Sequence, residues 1–298
     1  MSMSFALEGS FVALVTPFKD NVVDEQQIQK LVKFQIENGT SGIIACGTTG
    51  EAPTLSLEEH GRVVKTIVEA AEKKIPVFAG TGSNNTKHVI EVTKQAERNG
   101  ANGALIVCPY YNRPTQKGLY HHFRAVAEST PLDIIVYNIQ GRTAVNMETA
   151  TLAKLAQDCP NIIGVKESSG SLDQMTQVVR LCPKNFSMLC GDDNMALACM
   201  AVGGKGVIST VGNIIPKQMS ELIRAALSGN FQRARELHLK LFPLFKAVFV
   251  ESNPGPIKEA MAMMKLIDSP ELRLPMFEME EANRQFLASV MREQGLLN

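Results

Sequence analysis

The residues with the most chemistry to offer are one lysine, three tyrosines, two adjacent threonines and one arginine. Lys166 closes the apolar run Asn161-Ile162-Ile163-Gly164-Val165-Lys166. Ammonium groups are seldom buried unless paired, because desolvation penalises the charged form. The same penalty favours a free amine, the form that attacks carbonyl carbon. Lys166 therefore has two readings. It turns outward and pairs with a carboxylate such as Glu167, or it forms a Schiff base with a keto substrate. Three of the four tyrosines, Tyr110, Tyr111 and Tyr137, fall at the ends of two other apolar runs. A phenol beside the amine could pass protons to and from a carbinolamine, although packing at the rim of a sheet is the plainer role. Thr48 and Thr49 stand in the turn Gly47-Thr48-Thr49-Gly50-Glu51. Its N–H groups and hydroxyls suit a carboxylate, or serve only as a connection. Arg142 follows Tyr137 in a loop, either to grip a second carboxylate or as a solvated charge.

These side chains can cooperate only if the fold gathers the ends of their runs. Strand-like apolar runs occupy 11–18, 41–46, 76–79, 103–108, 133–137, 161–168, 186–190 and 206–209, and a helical pattern follows each. Asp24 can cap the first helix, and Ser56-Leu57-Glu58-Glu59 and Ser171-Leu172-Asp173-Gln174 read as capping boxes. Further helices are expected over 85–98, 117–127 and 147–157. Parallel strands need such crossovers, and eight units fit an α/β (β/α)8 TIM barrel. A doubly wound open sheet shows the same alternation but calls for a G-x-G-x-x-G after the first run, and none is present. Past Pro216 the pattern is helical only, over 217–227, 231–249, 256–267 and 279–292. The expected division is a barrel over residues 1–229 and an added C-terminal helical segment over 230–298. In a barrel, catalytic groups gather at the carboxyl ends of strands, where Thr48, Thr49, Tyr110, Tyr111, Tyr137 and Lys166 fall.

Composition narrows the function classes. The 298 residues carry 45% hydrophobic and 20% charged side chains, with a formal net charge of zero. A neutral chain offers no electrostatic case for binding nucleic acid or an anionic membrane surface. No apolar stretch approaches the roughly 20 residues that span a bilayer, and the first ten residues do not read as a signal peptide, so a cytoplasmic location is expected. The cysteines, Cys46, Cys108, Cys159, Cys182, Cys190 and Cys199, form no C-x-x-C pair. They read as buried free thiols. Asp192-Asp193 lacks partners at metal-ligand spacing and reads as a helix cap, His121-His122 as a helix surface, and Met261, Met263 and Met264 as packing.

Taken together, the segments Gly47-Thr48-Thr49-Gly50-Glu51, Pro109-Tyr110-Tyr111-Asn112-Arg113-Pro114, Tyr137-Asn138, Gly164-Val165-Lys166-Glu167, Gly191-Asp192-Asp193 and Gly206-Val207-Ile208-Ser209 resemble the pyruvate-dependent class I aldolases and lyases, the N-acetylneuraminate lyase family, over essentially the whole chain. Within it, the Thr-Thr turn, the Tyr-Tyr-Asn-Arg-Pro segment and Arg142-Thr143 are similar to the branch that joins pyruvate to L-aspartate 4-semialdehyde in lysine and diaminopimelate biosynthesis. An N-acetylneuraminate or 2-keto-3-deoxygluconate aldolase is the alternative. A non-catalytic barrel that senses pyruvate would have no need of the imine lysine.

The resemblance implies that Lys166 forms the imine and that Tyr137 exchanges protons through Thr48 with Tyr111 of a neighbouring subunit. It implies that Thr48 and Thr49 hold the pyruvate carboxylate, Arg142 holds that of the aldehyde, and Gly191 and Ile208 supply backbone groups. It further implies a homo-oligomer, a dimer of dimers, with no metal or organic cofactor. The chain departs from the family pattern in two respects. Gln140 replaces a proline and removes a constraint on the Arg142 loop. Relatives also bind lysine as a feedback inhibitor, and the matching positions are Ala52, Leu57, His60, Asn84, His88 and Tyr110. Leu57 replaces a histidine and His88 an ammonium-pairing glutamate, so inhibition by lysine is expected to be weak or absent.

Overall fold

The computed structural model describes residues 5–297. In chain order the strands are β1 (Gly9–Ala13), β2 (Phe18–Lys19), β3 (Val22–Val23), β4 (Gly42–Ala45), β5 (Val77–Gly80), β6 (Gly103–Val107), β7 (Asp133–Asn138), β8 (Ile162–Glu167), β9 (Ser187–Cys190) and β10 (Gly206–Ser209). The helices are α1 (Glu25–Glu37), α2 (Leu57–Ala71), α3 (Thr86–Arg98), α4 (Gln116–Ala127), α5 (Gln140–Thr143), α6 (Thr149–Asp158), α7 (Leu172–Leu181), α8 (Ala196–Ala201), α9 (Pro216–Leu227), α10 (Phe231–Ala247), α11 (Gly255–Met263) and α12 (Glu281–Glu293). Eight parallel strands close into a barrel in the order β1-β10-β9-β8-β7-β6-β5-β4, with β4 back against β1. This is the TIM barrel that the alternation predicted, with α10–α12 added after it.

Local sequence explains the helix starts. Asp24 caps α1 by accepting from Gln27 N. Ser56 and Glu59 form the complete reciprocal capping box of α2. Ser171 accepts from Gln174 N and supplies the first half of the second box. Several boundaries differ from expectation, among them the ends of α11 at Met263 and of α10 at Ala247 and the start of α12 at Glu281. The first run stops at Ala13, and Phe18–Lys19 instead pairs antiparallel with Val22–Val23. Pro17 lies between and has no N–H to continue a ladder. Helix α6 starts at Thr149, not at residue 147, because Met147 N donates to Asn138 Oδ1 and Glu148 N to Gln116 Oε1.

Apolar side chains form two layers. Phe11, Ile44, Phe78, Leu105, Ile135, Tyr137, Leu189 and Ile208 fill the barrel interior. A larger cluster that includes Ile43, Val136, Val165, Val207 and Leu222 packs strands against helices. Strand β7 alternates strictly: Ile134 and Val136 face the helices, Ile135 and Tyr137 the interior. In β8 the register skips one residue, since Ile134 pairs with Ile162 but Ile135 with Gly164. Ile163 is the extra residue, and such bulges re-aim the side chains that follow.

All six cysteines are free and five are buried, with Cys182 half-buried. His121 is exposed as expected, but His122 is buried against Thr86 Oγ1 at 2.9 Å. It lies on the inner face of α4, beside Leu119 and Phe123. No helix among the described residues is long and apolar enough to cross a membrane.

Candidate active site

Adjacent strands place an amine beside a phenol. Tyr137 in β7 pairs with Lys166 in β8, and Lys166 Nζ lies 4.3 Å from the centre of the Tyr137 ring. Both are nearly buried, each 6% exposed. The expected alternative partner, Glu167, points the other way. Its carboxylate accepts from Asn138 Nδ2, Gln174 Nε2 and Ser169 N. Burial raises its pKa against the pull of these bonds. The Asn138–Glu167–Gln174 network, joined by Asn146, fixes the outer faces of the two strands. It thereby holds the inner pair in register.

Gly191 N donates to Glu167 O at 2.9 Å. A Cβ at Gly191 would stand 2.8 Å from Lys166 Cε, so the glycine makes room for the amine's side chain. Ser168 Oγ, also buried and without a hydrogen-bond partner among the described residues, faces the same point. Burial raises the Asp192 pKa while the Lys166 charge pulls it back. Neither aspartate caps its own turn with its side chain. Asp193 instead accepts from Thr210 N and Val211 N after β10, which corrects the capping expectation and ties the end of β9 to the end of β10.

A cavity of about 590 Å³ opens beside this pair, lined by Thr48, Tyr137, Arg142 and Asn253 among others. Lys166, Thr49, Gly191 and Ile208 do not line it directly. Lys166 adjoins it through Tyr137, and Ile208 through the inner apolar layer. Thr49 is joined to it by Asn253 Nδ2, which donates to Thr49 Oγ1 at 2.9 Å. The Thr48 turn is closed by Gly50 N to Gly47 O and Glu51 N to Thr48 O. Arg142 sits on the single turn α5, and its guanidinium donates to Asn253 O at 3.5 Å. Cys46 also lines the cavity, but burial pushes its thiol far up, which removes it as a nucleophile near neutral pH.

Tyr111 is the outlier among the expected residues. It is 88% exposed, holds a left-handed backbone (φ 70°) and does not line the cavity. Ala52, Leu57, His60, His88 and Tyr110 line the same cavity as Tyr137, whereas Asn84 does not, its carbonyl accepting from Asn112 Nδ2. His60 Nε2 lies 2.8 Å from Gly80 O and so donates to it, and burial lowers the pKa of the ring.

Sequence reasoning missed the C-terminal contribution. Asn253, Pro254, Pro275 and Met276 all line the cavity. Lys258 and Arg273 reach Glu51 and Glu59 around the Thr48 turn. The signal was present in α11, where Lys258 interrupts an otherwise apolar face formed by Ile257, Ala260 and Met261.

A barrel that sets a primary amine against a phenol at the ends of adjacent strands belongs with the lysine-dependent aldolases and lyases. Comparison with known proteins narrows this. Residues 6–294 match the Dihydrodipicolinate synthetase family. The 4-hydroxy-tetrahydrodipicolinate synthase of Syntrophus aciditrophicus is 51% identical over 290 residues, covering 97% of this chain and 99% of that one. The crystal structure of dihydrodipicolinate synthase from Aquifex aeolicus superposes with a TM-score of 0.96 at 46% identity, covering 97% of this chain and 99% of that one. The chloride-inhibited dihydrodipicolinate synthase of Acinetobacter baumannii, complexed with pyruvate, gives 0.95 at 43% identity, covering 98% of this chain and 100% of that one. The chain belongs to the Dihydrodipicolinate synthetase family.

Proposed function

We propose that this protein condenses pyruvate with L-aspartate 4-semialdehyde to give 4-hydroxy-tetrahydrodipicolinate, a lyase-class reaction of lysine biosynthesis. The observation that carries the reading is the Lys166 amine, 4.3 Å from the Tyr137 ring centre at paired strand ends. The amine adds to the pyruvate carbonyl, and loss of water from the carbinolamine leaves an imine. Tyr137 supplies the proton for departing water and takes one back, in relay with Thr48 and with Tyr111 of a neighbouring subunit. The exposure of Tyr111 suits a side chain that serves another copy. Loss of a methyl proton converts the imine to an enamine, whose carbon attacks the aldehyde. The substrate's own amine then displaces Lys166 as the ring closes.

Thr48 and Thr49 hold the pyruvate carboxylate, Arg142 that of the aldehyde, and Gly191 and Ile208 supply backbone groups. The barrel over residues 1–229 carries the chemistry, and 230–298 completes the cavity wall. The working form is a cytoplasmic homotetramer. Inhibition by lysine at Ala52, Leu57, His60, Asn84, His88 and Tyr110 is weak or absent, because neither His60, whose pKa burial lowers, nor His88 carries a negative charge to pair an ammonium.

The test is borohydride reduction in the presence of pyruvate, followed by peptide mass analysis and a coupled assay with aspartate semialdehyde. An adduct on Lys166, its absence in Lys166→Ala, and turnover of this aldehyde in preference to N-acetylneuraminate or 2-keto-3-deoxygluconate support the reading. No adduct on any lysine removes it.

A further inference from the structure

The most unusual group of charges in the molecule lies outside the Schiff-base site. Lys258 is completely buried and its Nζ donates to Glu51 Oε1 at 2.6 Å, where the carboxylate is 2% exposed. The amine also donates to the Glu271 carbonyl at 2.5 Å. Arg273 N donates to Glu51 Oε2 at 3.2 Å, so both oxygens of one buried carboxylate are held by the C-terminal segment. The Arg273 guanidinium then forks onto both oxygens of Glu59 at 2.6 and 2.9 Å, and reaches Thr54 O at 3.0 Å. The two cations lie over one Phe18 ring, at 4.2 and 4.4 Å from its centre. Desolvation lowers the Lys258 pKa while Glu51 opposes it.

An ion pair this deep is a poor means of gaining stability, because apolar residues of the same volume often serve as well. Its location suggests what it is for. Glu51 belongs to the Thr48–Thr49 turn: its N–H donates to Thr48 O, and its backbone is left-handed at φ 54°. A non-glycine residue holds such a conformation only where its surroundings over-determine it. On the far side of the turn, Asn253, from the same C-terminal segment, donates to Thr49 Oγ1. The segment therefore grips the turn at two residues, Thr49 and Glu51.

We propose that Lys258 and Arg273 are positioning residues for the reaction, holding Glu51 so that the Thr48–Thr49 turn presents a formed carboxylate site to pyruvate. This rests on the functional reading above. The observable consequence is selective. Disturbing the clamp weakens capture of pyruvate and leaves the aldehyde's own binding group, Arg142, in place.

The experiment uses the full-length protein and measures the pyruvate concentration for half-maximal borohydride trapping at Lys166, the KM for each substrate, and the thermal midpoint. Lys258→Met is expected to raise half-saturation by pyruvate about tenfold, with the KM for aspartate semialdehyde within about twofold, in the range of a displaced positioning contact. Glu51→Gln keeps the side chain's shape and removes its charge. It is the variant to use if Lys258→Met does not fold, and several-fold weaker pyruvate capture is expected. A folded variant with a lower thermal midpoint but native half-saturation by pyruvate shows a stabilising role alone and overturns the proposal. Failure of the unaltered protein to trap pyruvate instead overturns the Schiff-base reading, so the two failures are told apart.

Discussion

Replacing Gly191 with alanine puts a methyl group where the Lys166 side chain now runs. The new Cβ would stand 2.8 Å from Lys166 Cε and 3.1 Å from Cγ, and closer still to Ser168 Oγ. Cβ contacts under 3.0 Å are essentially never tolerated, so Ser168 Oγ must swing away and the Lys166 side chain must yield by several tenths of an ångström. Gly191 has no left-handed φ, so the strain is steric and falls first on the Ser168 hydroxyl and then on the lysine. Overpacking of this kind costs about 1–3 kcal/mol of stability. A reacting group displaced by about 1 Å loses roughly 10²-fold in rate. A shift of about half that size predicts roughly tenfold slower imine formation, equivalent to about 1.4 kcal/mol. The assay is a borohydride quench at timed intervals after mixing with pyruvate, read as adduct mass on Lys166, alongside a calorimetric midpoint. A native rate with a native midpoint would show that Lys166 moves aside freely, and the account of a fixed amine beside Tyr137 would be wrong.

Other predictions address separate parts of the molecule. Tyr137→Phe keeps the ring beneath Lys166 but removes the proton carrier, and should lower turnover by about 10²–10⁴-fold; steady-state kinetics within a factor of a few of native would remove Tyr137 from that role. Arg273 holds the Glu59 carboxyl down at about 2 from an ordinary 4.5. A depressed folded-state value stabilises above the unfolded value and is lost as pH falls through the folded one. Glu59→Gln should therefore lose stability near neutral pH and show a flatter decline between pH 4.5 and 2 in thermal melts. An equally steep decline in that variant would place the acid sensitivity elsewhere. Added lysine should leave activity unchanged below millimolar concentration, and sub-millimolar half-inhibition in a titration would overturn the reading of His60 and His88.

Much of this molecule was legible in the chain itself. Alternating apolar runs and helical patterns specify a parallel barrel, because parallel strands cannot be joined without a crossover. Asp24, Ser56 and Ser171 mark helix starts because a hydroxyl or carboxylate can accept from a free N–H only at that position. The strand-end residues, Lys166, Tyr137 and the Thr48–Thr49 turn, follow from the barrel once it is granted.

Tertiary structure decided the rest. Period-two alternation alone would put Ile162 and Lys166 on the same face of β8, and Ile162 faces the helices. The skipped residue at Ile163 reverses the later side chains, turning Lys166 towards Tyr137 and leaving Glu167 in the outer network. Such a bulge depends on how β7 and β8 pair, which is a relation between strands and has no local signature. The clamp is non-local in the same way, since Glu51 and Lys258 lie 207 residues apart in sequence. An isolated lysine in an apolar helix announces that a counter-charge exists. Only the folded barrel, with residues 253–276 brought against the Thr48 turn, determines which carboxylate supplies it.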